Sequence, residues 1–372
     1  MPAGIYLHIP FCKSRCSYCD FATDVFKSDE TVERYVSALV KEIESFSEMP
    51  ESVETIYFGG GTPSLLAPAQ LEKILNSIYK KFRVKAEIEL TMEMNPATVT
   101  PETLKSYKFL GVNRASFGAQ TFDDLELKRL GRKHTASDVR ETIELLRSAG
   151  FVNVSFDLIA GLPRQTLEDW ERNLDEALKL KPEHLSLYLL EIHEGTPLAE
   201  QIRSRRQPSP DEDLAGEMYE LMIRKTAEKG YGQYEISNFS LPNYESKHNS
   251  KYWRCEPVLG FGVSAHSFDG KFRYANERDT AKYVNIIESN NSAEVFREET
   301  DLASEFIFLG LRLSKGIDLI EYEKRFGVKI EEKYAKDLRR FEELELIEYA
   351  EDHLRLTSKG KVYSNEVFAG FV

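Results

Sequence analysis

The chain predicts an α/β fold: a partial, TIM-like (β/α)6 barrel followed by a C-terminal α+β domain of winged-helix type. Three observations carry this expectation. Short apolar runs alternate six times with segments of helical period. Glycines and polar residues gather where those apolar runs end. From about residue 300 the pattern changes to amphipathic helices and a small hairpin.

The first strand, Ile5 to Ile9, runs into a loop that holds three of the four cysteines, Cys12, Cys16 and Cys19, spaced C-x3-C-x2-C. Val32, Tyr35, Val36, Leu39, Ile43 and Phe46 then recur at helical spacing. A strand from Val53 to Phe58 ends in Gly59-Gly60-Gly61-Thr62-Pro63, and a second helical stripe follows at Leu71, Ile74, Leu75, Ile78 and Phe82. The later strands are expected at Ala86–Glu93, Val112–Phe117, Val152–Ile159 and His184–Ile192. Helices separate them at Pro101–Leu110, around Val139, Ile143 and Leu146, and at Leu167–Leu180. Strands alternating with helices imply a parallel sheet with right-handed crossovers. Six units favour an open barrel over a closed eight-fold one. A further helix spans Asp211 to Gly230. We divide the chain into a barrel with its cysteine loop (1–235), an irregular connecting region rich in aromatics and glycine (236–298) and a C-terminal helical, winged domain (299–372).

Composition excludes several classes. Lys and Arg number 49 against 62 Asp and Glu, a net charge of −13, which disfavours a nucleic-acid surface because phosphate binding leans on excess Lys and Arg. The run Arg203-Ser204-Arg205-Arg206 reads as a solvated loop. No apolar stretch approaches the ~18 residues of a membrane span, and the N-terminus shows no leader pattern. Clustered cysteines of metal-ligand type point to a reducing cytoplasm. Cys255 stands alone and reads as a core residue.

Structural zinc calls for four ligands, and nothing near the cysteine loop supplies a fourth. A 4Fe–4S cluster held by three thiolates leaves one iron open to a substrate or cofactor. In a parallel barrel, chemistry sits at the C-terminal strand ends. There the sequence places the glycine turn, Glu93, Gln120, Arg132 and the strand charge Asp157. Glycines let a backbone approach a ligand closely, a carboxylate accepts from a ribose or ammonium, and a guanidinium pairs with a carboxylate. Further on, His248 and His266 are candidate metal or heme ligands. Gly260-Phe261-Gly262 mimics a dinucleotide loop without the strand and long helix that motif needs.

The cysteine spacing resembles the radical S-adenosylmethionine (SAM) superfamily, in which SAM chelates the open iron. Tyr6 to Phe21, Gly59 to Pro63, Glu93, Gln120, Arg132, Asp157 to Pro163 and Leu356 to Gly360 together resemble the oxygen-independent coproporphyrinogen III oxidase (HemN) family, over nearly the whole chain. The oxidases carry another cysteine two residues after the third ligand, where this chain has Phe21. That change, the short N-terminus and His248-Asn249-Ser250-Lys251-Tyr252-Trp253 (H-N-x-x-Y-W) are similar to the heme-chaperone (HemW) branch. The resemblance implies a 4Fe–4S cluster on Cys12, Cys16 and Cys19. It implies a SAM site lined by Tyr6, Tyr18, Gly60, Gly61, Thr62, Glu93, Gln120, Arg132 and Asp157, with heme at His248. It also implies a homodimer that hands heme to apo-hemoproteins of respiration. The rival reading is an enzyme, either an oxidase that decarboxylates coproporphyrinogen or another radical SAM reaction on a tetrapyrrole. A more distant one, an RNA-modifying radical SAM enzyme, lacks a basic surface here.

Overall fold

Six parallel strands lie side by side in chain order in the computed structural model, which describes residues 2–47 and 50–371. They are β1 (Ala3–Ile9), β2 (Val53–Gly60), β3 (Val84–Met94), β4 (Arg114–Gln120), β5 (Val154–Ala160) and β6 (His184–Leu189). The alternation read from the sequence is therefore the observed one, with strand ends shifted by a few residues. The sheet stays open and continues beyond both of its parallel edges. Next to β6 runs the short antiparallel strand Asn238–Ser240.

Period-two patterning divides each strand. Ile5, Leu7 and Ile9 of β1 and Ile56 and Phe58 of β2 belong to the buried core shared with the flanking helices. The alternate residues point into the barrel, where the rings of Tyr6 and Tyr57 lie 6.1 Å apart. The helices are started by short polar caps. Thr100, Thr135 and Thr166 each accept from the backbone N–H three residues on, and Asp138 and Asp169 return the bond to their own cap residue. Each helix turns an apolar stripe to the sheet, as Trp170, Leu174 and Ala177 do on Leu167–Lys179.

The segment 236–298, expected to be irregular, is largely regular. Strand Val258–Phe261 pairs in parallel with the outer side of β1, and His266–Phe268, Phe272–Asn276 and Glu294–Glu299 extend the sheet from there. These strands escaped the sequence reading because they are three to six residues long and interrupted by Gly260 and Gly262. Gly260 sits where a Cβ would fall 2.3 Å from the His266 carbonyl oxygen, and Gly262, at φ +98°, packs on the Tyr35 hydroxyl. The apparent dinucleotide loop is thus a tight strand connection.

Helix Lys247–Trp253 plugs the N-terminal end of the barrel. The Glu89 carboxylate of β3 accepts from the N–H groups of Lys247 and His248, an anion placed on the positive end of a helix. Buried Lys251 pairs with Glu54 and Glu256 at 2.5 and 2.8 Å. The C-terminal part carries helices Leu302–Gly310, Leu319–Phe326 and Ala335–Glu343 and the hairpin Ile347–Ala350/His353–Leu356, edged by Ile317–Asp318. That is the winged arrangement expected. Cys255 is buried in the core.

Gly260→Ala is expected to destabilise the fold by about 1–3 kcal/mol or more, the range for overpacking a tight contact. A urea midpoint unchanged from wild type would show that the strand connection has room to shift.

Candidate functional site

The three cysteines arrive at the C-terminal mouth of the barrel on a loop fixed from several sides. Ser17 N–H donates to the Leu130 carbonyl, and Leu198 N–H donates to the Ser17 carbonyl, both at bond lengths below 3.0 Å. The short parallel pair Phe11–Cys12 and Asp24–Val25 closes the loop on itself. His8 Nε2 reaches the Ala22 carbonyl at 2.8 Å, while its Nδ1 meets the Tyr6 hydroxyl at 3.1 Å. Neither His8 nor Asn95 was singled out from the sequence, although His8 stands inside the quoted stretch Tyr6 to Phe21 and Asn95 lies two residues after Glu93.

All three loop thiols are free and half-buried. Thr62 Oγ1 donates to Cys12 Sγ and Arg132 Nη1 to Cys16 Sγ, each at 3.6 Å. Donors aimed at sulfur favour thiolate over thiol. Burial opposes them at Cys12, whose thiol is pushed up to about 11, and a bound cluster would favour its thiolate. Among the described residues no three His, Cys, Asp or Glu side chains converge on one metal ion. A cluster that gives each thiolate its own iron does not ask for such convergence. Three separate thiols, two with hydrogen-bond donors, fit a 4Fe–4S cluster.

Behind the loop, four of the predicted residues converge. Glu93 accepts from Tyr57 Oη at 2.7 Å and Gly60 N–H at 3.1 Å. Arg132 Nη2 donates to Gly118 O at 2.5 Å and Asn95 Oδ1 at 3.1 Å, while its buried Nε has no partner among the described residues. Gln120 ends β4 at φ +66°, and a Cβ on Gly118 would strike its amide at 2.2 Å. A Cβ on Gly59 would likewise strike Tyr6 and Tyr57 at 2.9 Å. The two glycines therefore leave room for the side chains packed at the barrel mouth rather than merely turning the chain. Asp157, deeper in β5, is bonded by Ser116 Oγ at 3.4 Å, and burial holds its carboxyl above the usual range.

The remaining predicted residues have partners within the protein. Gly60 and Gly61 spend their amides inside the protein, on Glu93 and on the Ile9 carbonyl. What this turn can offer a ligand is carbonyl oxygen, the acceptor suited to an ammonium. Thr62 is buried against Cys12 rather than facing the pocket. Tyr18 packs on Leu130, Ile159 and Leu162 beside the cysteine loop. His248 lies at the opposite end of the barrel. Its Nδ1 is 2.9 Å from Thr55 Oγ1, its Nε2 is 3.2 Å from Tyr252 Oη, and its ring stacks on Tyr57. Burial, with help from Lys251, lowers its pKa to about 3. As folded, neither ring nitrogen is free. His266, by contrast, is exposed on an added strand and faces Phe296.

A half-open cluster loop over a polar barrel mouth defines a radical SAM protein, and residues 6–177 match the model of the radical SAM superfamily. Residues 298–363 match the HemN C-terminal domain. The chain is 36% identical to the heme chaperone HemW of Lactococcus lactis, covering 100% of this chain and 97% of that protein. It is 37% identical to HemW of Bacillus subtilis, covering 99% and 98%. It is 34% identical to mouse mitochondrial radical S-adenosyl methionine domain-containing protein 1, covering 85% of this chain and 74% of that one. Among solved structures, Escherichia coli coproporphyrinogen III oxidase (HemN) superposes with a TM-score of 0.87 at 24% identity, over 100% of this chain and 90% of that one, a likeness of fold. The chain belongs to the HemW family of radical SAM proteins.

Two outcomes test the site. Serine at any one of Cys12, Cys16 or Cys19 is expected to abolish the cluster after anaerobic reconstitution, read as iron content and visible absorption. A triple variant that kept a normal cluster would refute the ligand set. Separately, burial raises the Glu93 carboxyl to about 7, with Asp157 adding and the Tyr57 and Gly60 bonds opposing. A carboxyl raised on folding binds more protons folded than unfolded between its model value of 4.5 and about 7, so stability falls as pH rises through that window. In the cofactor-free protein, Glu93→Gln can keep both partners, because the Tyr57 hydroxyl also accepts. It is expected to be about 1–3 kcal/mol more stable than wild type at pH 8, with the gap closing near pH 5. Equal denaturation midpoints at pH 8 would rule that cost out.

Proposed function

We propose that this protein is a cytoplasmic heme chaperone that carries a 4Fe–4S cluster and SAM, binds heme and passes it to apo-hemoproteins of respiration as a homodimer. The full-length likeness to the HemW chaperones supports this reading most directly. Phe21 supports it independently. It stands where the oxidases carry a further cysteine and is 66% exposed, so no packing demand explains the replacement. Among the described residues, no helix is long and apolar enough to cross a membrane.

When bound, the reduced cluster would supply the electron that cleaves SAM to a carbon radical. The chain's own residues bind and orient. Cys12, Cys16 and Cys19 hold the cluster, with Thr62 and Arg132 donating to sulfur. Glu93 and the Gly60 turn offer acceptors to the SAM ammonium or ribose, Arg132 a partner for its carboxylate, and Gln120 and Asp157 polar contacts deeper in. Tyr6 and Tyr18 flank the pocket. For heme, His248 is the proposed iron ligand. Its Nε2 has to give up the Tyr252 hydroxyl first, which requires the end of the 247–253 helix to open.

The second reading, an oxygen-independent coproporphyrinogen III oxidase, is favoured by the fold alone. Anaerobic incubation with coproporphyrinogen III, SAM and a strong reductant separates the two. We expect no protoporphyrinogen from this protein while an authentic oxidase run alongside makes it; its appearance would make this chain an oxidase. His248→Ala is expected to weaken hemin binding at least tenfold and to move the Soret band. An unchanged affinity and spectrum would remove His248 as a ligand.

A further inference from the structure

The helix that closes the barrel floor ends at Trp253, on the side turned to the C-terminal helices. There a groove of about 640 Å³ is lined by Trp253, Phe308, Leu309, Arg312, Asn365 and Phe368. Its size falls in the range of sites for compact organic ligands, and its walls are flat and mostly apolar. Trp253, Phe308, Leu309 and Phe368 are all half-buried. The Arg312 guanidinium lies 4.3 Å from the Trp253 ring centre and reaches the buried Glu235 carboxylate with Nη2 at 3.3 Å. Arg312 Nε and the Trp253 indole N–H have no acceptor among the described residues. The groove thus combines aromatic faces with a guanidinium at its edge. A planar apolar body edged with carboxylates satisfies all of these at once.

We propose that this groove is the tetrapyrrole-binding site, with the macrocycle against Trp253, Phe308, Leu309 and Phe368 and a propionate carboxylate at Arg312. The assignment rests on the heme-chaperone reading and gives it a location. Face and carboxylate recognition needs no iron, so iron-free protoporphyrin IX also binds here, and hemin exceeds it only by the iron–His248 bond. The groove adjoins the barrel floor while the cysteine loop sits at the mouth, so tetrapyrrole and SAM do not compete for space.

The test is absorbance titration of the full chain with hemin and with protoporphyrin IX. Phe308→Glu places a carboxylate on the apolar wall and is expected to weaken both ligands at least tenfold. Asn365 is exposed at the rim, so its variants leave the fold alone; Asn365→Glu is expected to weaken both ligands and Asn365→Lys to strengthen them. Cluster absorption and SAM binding should be unchanged in all three. A wild type that binds tetrapyrrole with affinities unmoved by the three variants overturns the groove while leaving the chaperone reading in place. The same holds if Phe308→Glu only turns a dimer into monomers, which would make the groove a contact between copies. A wild type that binds neither tetrapyrrole overturns the chaperone reading and the groove with it.

Discussion

Arg132 is the tie between the cysteine loop and the barrel. One guanidinium spans Cys16 on the loop, Asn95 just past β3 and the Gly118 carbonyl in β4. Five donors in a rigid plane make such a span possible, and a lysine at this position could not reproduce it. Because arginine remains charged, it also holds positive potential beside thiols that have to become thiolates. The strand-end geometry is arranged around that reach. Gly118 has no side chain because the Gln120 amide and the guanidinium occupy the space beside it. The left-handed backbone at Gln120 then turns its side chain back toward the same place.

The barrel interior is polar from end to end, which a water-excluding core tolerates only when each group is partnered. At the floor, Glu89 caps the plug helix, Arg114 bonds Asn153 at 2.7 Å, and His184 bridges Ser155 and Tyr234 at 2.7 and 2.8 Å. Toward the mouth the Arg132 Nε has no acceptor among the described residues, and Glu93 and Asp157 keep raised carboxyl groups. A closed floor stabilises the fold, and a mouth with unused hydrogen-bonding capacity is prepared for a ligand.

Much of this was legible in the sequence because the parallel strands are long enough to show their period and the cysteine spacing is rare by chance. The strands beyond β1 were not legible, being short and broken by glycines whose role is close backbone approach. The convergence of Glu93 and Gln120 was legible because strand ends place their side chains, whereas Arg132 reaches it from the loop between helices Asp124–Arg129 and Ala136–Ser148. Site membership was less legible at Gly60, Gly61 and Thr62, because sequence cannot say which way an amide or hydroxyl points. His248 shows the limit most plainly. A motif marks the residue, but only the fold reveals that both ring nitrogens are engaged beneath Tyr57. His8 was hidden in plain view, since a histidine inside an apolar strand reads equally well as packing.

The same scaffold superposes on an oxidase and belongs with chaperones, so the difference has to lie where the scaffold is indifferent. Phe21 is such a place: two-thirds exposed at the end of the cysteine loop, it could change identity with little consequence for the core. The 247–253 helix is the other, and it divides its labour by residue. His248, Ser250 and Lys251 are buried and close the floor, whereas Trp253 reaches past the barrel to the C-terminal helices. One seven-residue helix therefore joins the core of the barrel to a surface built from another part of the chain.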